Sequence, residues 1–300
     1  MSDRKRNIRI GVVGVKEGWS SERLADVIRE KTGFHCLIDL GNVSFDLTNN
    51  HVLHEDTDLS SLDAIIVKKL GLTYRPEMRD RLEVLRFLHE RGVRVFSKPS
   101  AIMGLLDRLS CTVTLQLGGI PMPETVVTEN IDLAVEAVSR FERAVLKPLF
   151  TSKARGMCVV EPDDDRRAAV EAFRDAGNSV IYIQKMVPLP GSDLGVVFLG
   201  GEYIGSYARV AHGTSWNTST HHGGKYRNCK PEGPIIDIAH RAQALFGLDL
   251  TCVDVVESPT GPLVFEVSAF GGFRGLLESD DIDVAEKYVD YVLRELHYDD

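Results

Sequence analysis

The stretch Val253-Asp254-Val255-Val256-Glu257-Ser258-Pro259-Thr260-Gly261-Pro262-Leu263-Val264-Phe265-Glu266-Val267-Ser268 decides how this chain reads. Two apolar runs flank a linker rich in turn residues, the pattern of two strands joined by a turn. Alternate residues of a strand share a face, so Glu266 and Ser268 are expected to point the same way. Pairing as a hairpin would lay Asp254 beside Glu266, with Cβ atoms ~5 Å apart across the ladder. Carboxylates in apolar strands are costly unless positive charge lies between them. A hard divalent cation answers that need, and Mg²⁺ typically uses one or two carboxylates together with nucleotide phosphates. The competing reading has both acids facing solvent on an ordinary amphipathic strand.

Further upstream, Ala144-Val145-Leu146-Lys147-Pro148-Leu149 sets one lysine in an apolar run, followed by Thr151-Ser152-Lys153-Ala154-Arg155-Gly156. Loop amides there can reach phosphate oxygens while the lysine neutralises their charge. The alternative is a snorkelling lysine beside a solvent loop. This is not a Walker loop, which needs GxxxxGK[ST]. The run 180–187 ends in the polar step Gln184-Lys185 before Pro188. It either leaves backbone groups free for an adenine edge or simply enters a linker. Arg209 closes another run, and the loop after it holds Trp216, Asn217, Thr218, Ser219, His221 and His222, then Gly223-Gly224. Adjacent histidines invite a zinc reading, but successive side chains diverge and no further His or Cys stands at zinc-ligand spacing. A loop contacting nucleotide or substrate is the better reading. Lys68-Lys69 and Arg75 follow the third strand, where they could meet an anionic substrate or merely solvate a strand end.

Around these motifs, short apolar runs at 8–14, 34–40, 64–67 and 93–96 alternate with helical patterns at 20–31 and 78–90. That alternation predicts a parallel α/β unit over 1–97. Gly11-x-x-Gly14 lacks the third glycine and the ribose-binding acid of a dinucleotide fingerprint. Pro99 is expected to open one helix reaching Leu117, closed by Gly118-Gly119. Strands at 125–128, 144–149, 157–161 and 180–186, with helices at 133–141 and 166–176, complete a central unit over 98–187. A C-terminal unit, 188–300, starts with strands 194–199 and 203–210 joined by the hairpin signal Gly200-Gly201. It continues with a polar loop over 211–230, a helix at 235–246, the two strands quoted above, and a helix at 284–296 with a capping box at Asp283 and Glu286.

The 300 residues carry a net charge of −9, which argues against binding nucleic acid or an anionic membrane. Five scattered cysteines, none in CxxC spacing, suit a reducing compartment. The N-terminal apolar run reads as a strand rather than a signal peptide, and no stretch approaches the ~20 apolar residues of a membrane span. The expectation is a soluble, cytoplasmic protein.

Taken in order, several phrases resemble the RimK-like branch of the ATP-grasp superfamily over nearly the whole chain. They are residues 95–101 (VFSKPSA), Leu106-Asp107-Arg108, Val145-Leu146-Lys147, Ile183-Gln184-Lys185, His221-His222-Gly223-Gly224 and residues 261–267, with Asp254 twelve residues before Glu266. The resemblance implies an α/β (α+β) ATP-grasp fold behind an N-terminal parallel α/β (pre-ATP-grasp) domain. It implies a ligase that uses ATP and Mg²⁺, with Mn²⁺ as an alternative, to join a carboxylate and an amine through an acyl phosphate. Glutamate ligation is one form of that activity, on a small-molecule or peptide substrate, and related enzymes are commonly homo-oligomers.

Position by position, the resemblance makes Arg108 and Lys147 phosphate contacts and Gly156 part of the loop closing over the nucleotide. Gln184, Lys185 and Val187 enter the adenine-binding hinge. Asp193 becomes the ribose-contacting acid, Asn217 a nucleotide contact, and Arg209 the arginine near the γ-phosphate and acyl phosphate. Asp254, Glu266 and Ser268 become the metal ligands. The family's third metal position is usually asparagine where this chain has Ser268, its glycine loop is richer in glycine, and Asn217 and Ser219 stand where arginine and asparagine are usual. These departures point to a distinct subgroup, one candidate being the ATP-grasp member of the bacterial gene cluster called the GAK system. They also keep two rival readings in view, a non-catalytic ATP-binding sensor or scaffold and an ATP-grasp kinase.

Overall fold

A strand that is apolar on both faces has to be covered on both, as parallel strands usually are, and the first such run here is buried at every position. The computed structural model describes residues 8–73, 75–213, 216–218 and 223–297. In chain order the first third holds β1 (Ile10–Val13), α1 (Trp19–Thr32), β2 (Leu37–Ile38), β3 (Val43–Asp46), β4 (His51–His54), β5 (Thr57–Asp58), β6 (Ala64–Val67), α2 (Met78–Glu90) and β7 (Arg94–Phe96). The main sheet runs β2-β1-β6-β7, all parallel. Two features differ from the expectation. β2 keeps only two residues of the predicted run, because Asp39 accepts the Gly41 N–H at 2.9 Å and turns the chain into a 3₁₀ helix. Residues 43–58 then form a separate antiparallel sheet, β3-β4-β5, which the parallel α/β reading passed over.

Pro99 does open a helix, α3 (Pro99–Met103), but it stops there. Asp107 is extended, with φ −128° and ψ 157°, and accepts the Ser110 N–H at 2.8 Å as the N-cap of α4 (Arg108–Leu117). The single helix expected up to Leu117 is therefore two, since a capping aspartate competes with helix continuation. The break places Arg108 in the first turn of α4, where it can face the rest of the site.

The middle of the chain gives β8 (Thr125–Thr128), α5 (Ile131–Phe141), β9 (Ala144–Lys147), β10 (Cys158–Val160), α6 (Arg166–Asp175) and β11 (Ile181–Lys185). These strands form an antiparallel sheet ordered β10-β9-β11-β8. Its core, including Val138, Phe141, Leu146, Val170 and Ile183, draws only on residues of this region.

The last part holds β12 (Ser192–Leu199), β13 (Glu202–Val210), β14 (Lys225–Asn228), α7 (Gly233–Ala244), β15 (Leu250–Ser258), β16 (Gly261–Ser268), α8 (Phe273–Asp280) and α9 (Val284–His297). The antiparallel order is β14-β13-β12-β15-β16. Gly200 and Gly201 have φ of 59° and 82° between paired Leu199 and Glu202, the positive-φ pair that a tight hairpin turn demands. β14 lies inside the stretch expected to be a polar loop, and α8 was not foreseen. Asp283 accepts the Ala285 N–H at 2.9 Å, whereas Glu286 reaches Arg23 of α1 at 3.3 Å. The acid pair thereby helps hold α9 against α1.

Both faces of the five-stranded sheet are buried. Val196 and Phe198 of β12 join a core with Val13 and Ile65 of the parallel sheet, α2, α4 and α7. Val197 and Leu199 join a second core with Ile10, Ile66, α1, α8 and α9.

Candidate active site

The register of β15 and β16 pairs Asp254 with Glu266 and Cys252 with Ser268. Just beyond, Val255 pairs with Val264, so Phe265 is an extra residue, a β-bulge. Strict alternation would put Val264 on the same face as Glu266 and Ser268. The bulge turns Val264 into the core beside Val267, both buried, while Glu266 and Ser268 stay on the cleft side.

Arg209 lies opposite Asp193 in the β12–β13 ladder. Its guanidinium ion-pairs with the Asp193 carboxylate and with Asp254, the latter at 2.8 Å. Asp193 is only 4% exposed, and a buried carboxylate is costly without a paired cation, the place that Arg209 fills. Burial holds the Asp254 carboxyl well above the ordinary carboxylate range; Arg209 opposes the shift, while Asp193 and Glu266 add to it. A buried acid pressed by two other acids is a place where additional positive charge is stabilising.

Arg108 joins the central sheet to the hairpin. Its N–H donates to the Leu149 carbonyl at 3.1 Å, and its guanidinium pairs with Glu266 at 3.2 Å. Lys147, at the end of β9, donates to the Gln184 side-chain carbonyl and stands 5.2 Å from the Phe265 ring centroid. Gln184 is buried, and its amide donates to Thr125 Oγ1 at 3.1 Å and to the Tyr182 hydroxyl at 3.3 Å. Burial lowers the Lys147 ammonium to about 7, Arg108 adding to the effect and Glu266 opposing it.

A cleft of about 750 Å³ opens between the four-stranded sheet β10-β9-β11-β8, the five-stranded sheet and the ends of β6 and α1. It brings together Arg108, Lys147, Gln184, Lys185, Val187, Asp193, Arg209, Asn217, Asp254, Glu266 and Ser268. Gly156, with φ 67°, does not line it, although residues 152–155 and Met157 of the same loop do. Ser219, His221 and His222 lie outside the described residues.

Among the described lining residues, the carboxylates are Asp193, Asp254 and Glu266. The cations are Lys68, Lys69, Arg108, Lys147, Lys153, Arg155, Lys185, Arg209 and Arg274. Nine against three, in a chain of net charge −9, makes the cleft a site for a polyanion. No group of three or more His, Cys, Asp or Glu among the described residues is arranged to hold a metal. Two carboxylates and a hydroxyl instead fit a hard cation that completes its shell with phosphate oxygens.

Sequence reading missed Trp19, Tyr207 and Arg274. Tyr207 was within reach, because alternation along β13 puts it on the Arg209 face. Its ring occupies space that a Cβ at Gly195 or Gly275 would take, which explains both glycines.

The sequence model of the RimK-like ATP-grasp domain matches residues 106–292. The chain belongs to the RimK-like ATP-grasp family. The matched segment contains Arg108, Lys147, Arg209, Asp254 and Glu266, whereas Trp19, Lys68, Lys69 and Met78 of the same cleft lie before it. This RimK-like protein is 26% identical, over an alignment of 309 residues, to a tetrahydromethanopterin:α-L-glutamate ligase of Methanosarcina acetivorans, covering 92% of this chain and 95% of the relative. Its fold is that of the ATP-grasp ligase PsnB complexed with a phosphomimetic variant of its minimal precursor, Mg and ADP. There the TM-score is 0.75 at 17% identity, over 97% of this chain and 99% of the other. A RimK domain ATP-grasp protein from Sphaerobacter thermophilus gives a TM-score of 0.71 at 20% identity, over 95% and 99% of the two chains. As a member of this family, the protein is an ATP-dependent ligase. None of the helices among its described residues is long and apolar enough to cross a membrane.

Proposed function

We propose that this chain activates a substrate carboxylate with ATP as an acyl phosphate and captures it with an amine, forming an amide, and that glutamate is the amine. The observation that carries this reading is the register of β15 and β16. It sets Asp254 against Glu266 in a cleft that also receives Lys147 from β9 and Arg209 from β13. The glutamate part rests on the names of relatives such as the tetrahydromethanopterin:α-L-glutamate ligase.

In this reading the nucleotide lies between units 98–187 and 188–300. Val187 and the backbone at the end of β11, where Gln184 and Lys185 lie, receive the adenine, and Asn217 closes on the nucleotide from the loop after β13. Lys147 and Arg108 face the phosphates. Their positive charge acts in a partly buried site, where electrostatic stabilisation of transferring phosphoryl oxygens is worth several kcal/mol. Arg209, fixed by Asp193 and Asp254, stands where the acyl phosphate would form, and Asp193 orients it as well as facing the ribose end. Asp254, Glu266 and Ser268 would hold Mg²⁺, and the same oxygen donors suit Mn²⁺. The metal, when bound, offsets charge on the phosphates. Residues 151–156, with Gly156 as their flexible end, close over the nucleotide and keep water from the activated carboxyl. The five unpaired cysteines support a cytoplasmic setting.

Glu266→Gln tests this assignment. Substrate-dependent ADP release should fall by about 100-fold or more while the circular dichroism spectrum is retained. Unchanged turnover would remove the metal role. Mass spectrometry of reactions with ATP, Mg²⁺, glutamate and a carboxylate panel then reads the chemistry. An amide product supports ligation, a phosphorylated product makes the chain a kinase, and unchanged ligands make it a nucleotide-binding module.

A further inference from the structure

We infer that Lys68, the residue after β6, is a positioning residue for the cation site: by holding the Phe270 carbonyl it fixes the turn after Ser268 and so sets where the Ser268 hydroxyl stands. The inference rests on the reading of Ser268 as a metal ligand and adds the element that puts it in place.

A serine oxygen is one carbon from the backbone, so its position follows the backbone around it. Ser268 is the last residue of β16, paired with Cys252 of β15. Its hydroxyl accepts the Phe270 N–H at 3.2 Å, closing a short turn. Beyond that turn the chain is pressed against the sheet. A Cβ at Gly271 would come within 2.7 Å of the Cys252 Cβ, and one at Gly272, whose φ is 90°, within 2.9 Å of a Val197 methyl. Between these two anchorages the Phe270 carbonyl accepts from the Lys68 ammonium, 202 residues away in the chain.

Lys68 is itself fixed. Its N–H donates to the Val13 carbonyl at the end of β1 at 2.8 Å, and its ammonium stands 4.1 Å from the Phe273 ring centroid in the first turn of α8. The parallel sheet thus supplies a rigid point that Lys68 carries across to the segment between Ser268 and α8. The same device recurs at the other two oxygen ligands. Arg209 holds Asp254 at 2.8 Å and Arg108 holds Glu266 at 3.2 Å, each from a different element. Lys68 does for Ser268, through the backbone, what the arginines do by direct contact.

Packing alone does not call for a lysine here. Lys68 is only 3% exposed, and among the described residues no carboxylate pairs with it. A buried ammonium held by a carbonyl and a ring costs stability, and an apolar side chain of similar volume is often neutral or stabilising in such a place. Groups that orient metal ligands from behind commonly change metal affinity by tenfold or more when removed.

Calorimetry on the full chain tests this, with ADP titrated once in EDTA and once in saturating Mg²⁺. The ratio of the two affinities reads the cation. Lys68→Met, which keeps the apolar stem, should lower that ratio about tenfold while metal-free ADP affinity stays within about twofold. Its thermal midpoint should hold or rise. Ser268→Ala should lower the ratio by a similar factor. The double variant should lose little more than either alone, because two residues acting on one contact are not additive. Fully additive losses would give Lys68 an independent action and overturn the inference. So would an unchanged ratio in Lys68→Met, or an ADP affinity that falls equally with and without Mg²⁺. Should Lys68→Met not fold, Lys68→Gln is read by the same ratio. The metal reading is judged separately. No Mg²⁺ effect in the parent, or an unchanged ratio in Ser268→Ala, removes Ser268 as a ligand and the inference with it. A lowered ratio in Ser268→Ala beside an unchanged one in the Lys68 variant removes the positioning role alone.

Discussion

The four-stranded sheet that carries Lys147 and the five-stranded sheet that carries Asp254 face one cleft, yet they are buried by different partners. The first closes its core with its own helices, α5 and α6, from Val126 to Ile183. The second has no private core. Alternate residues of β12 enter two different clusters, each shared with the parallel sheet and its helices. Among the described residues, polar links to this region include the Thr112 hydroxyl on the Tyr182 hydroxyl at 3.0 Å and Arg108 bridging Leu149 and Glu266. A region with its own core can open or move as a unit, because local stability follows local burial. Asp254 and Glu266 therefore belong to the fixed part, and Lys147 to the part able to close.

The largest test of that contrast pairs two truncations. Phe198→Ala, in the shared core, should cost about 3–5 kcal/mol, and Leu146→Ala, in the private core, about 2–5 kcal/mol. Hydrogen exchange should show Phe198→Ala lowering protection in the parallel and five-stranded sheets together. Leu146→Ala should lower it over residues 125–185 alone. Protection lost everywhere in both variants would break the comparison.

Next in size, Lys147→Ala should weaken Mg²⁺-nucleotide binding by about tenfold in calorimetry, the loss of one charge-assisted contact to phosphate. Unaltered affinity would mean that the closing lobe does not grip the nucleotide through this residue.

A third test reads the pH dependence of stability. A free lysine keeps its proton to about pH 10.4, whereas burial brings Lys147 to about 7 in the folded chain. Between those values the unfolded state binds more protons, so this group makes nucleotide-free protein more stable as pH rises from 7 towards 10. Lys68, also lowered to about 7 by burial, acts in the same direction. Denaturation midpoints at pH 7 and 9 should therefore rise, and Lys147→Met should reduce the rise without removing it. An identical rise in the variant would show that Lys147 is not desolvated.

Much of the active-site architecture was legible because it rests on short-range rules. Short apolar runs rich in β-branched residues marked 8–14 and 64–67 as buried strands, and Ile10–Val13 and Ala64–Val67 are the strands that form there. Gly200-Gly201 marked a hairpin because few other residues tolerate two positive φ values in succession. The hairpin reading also placed Asp254 opposite Glu266, because one turn brings its own two strands together. The helix break at Asp107 was less visible, since aspartate is tolerated within helices and becomes a cap only when the chain around it turns.

The sequence by itself determined which residues could carry the chemistry: two acids in apolar strands, a lysine in an apolar run, and an arginine at a strand end. Tertiary structure alone decided how they meet. The extra residue Phe265 turns Val264 inward beside Val267 while Glu266 stays on the cleft side, β14 finds its partner in β13, and Arg108, Lys147 and Arg209 reach one cleft from α4, β9 and β13. Periodicity is a property of neighbours along the chain, whereas a bulge, an edge pairing or a cluster of like charges depends on residues tens to hundreds of positions away.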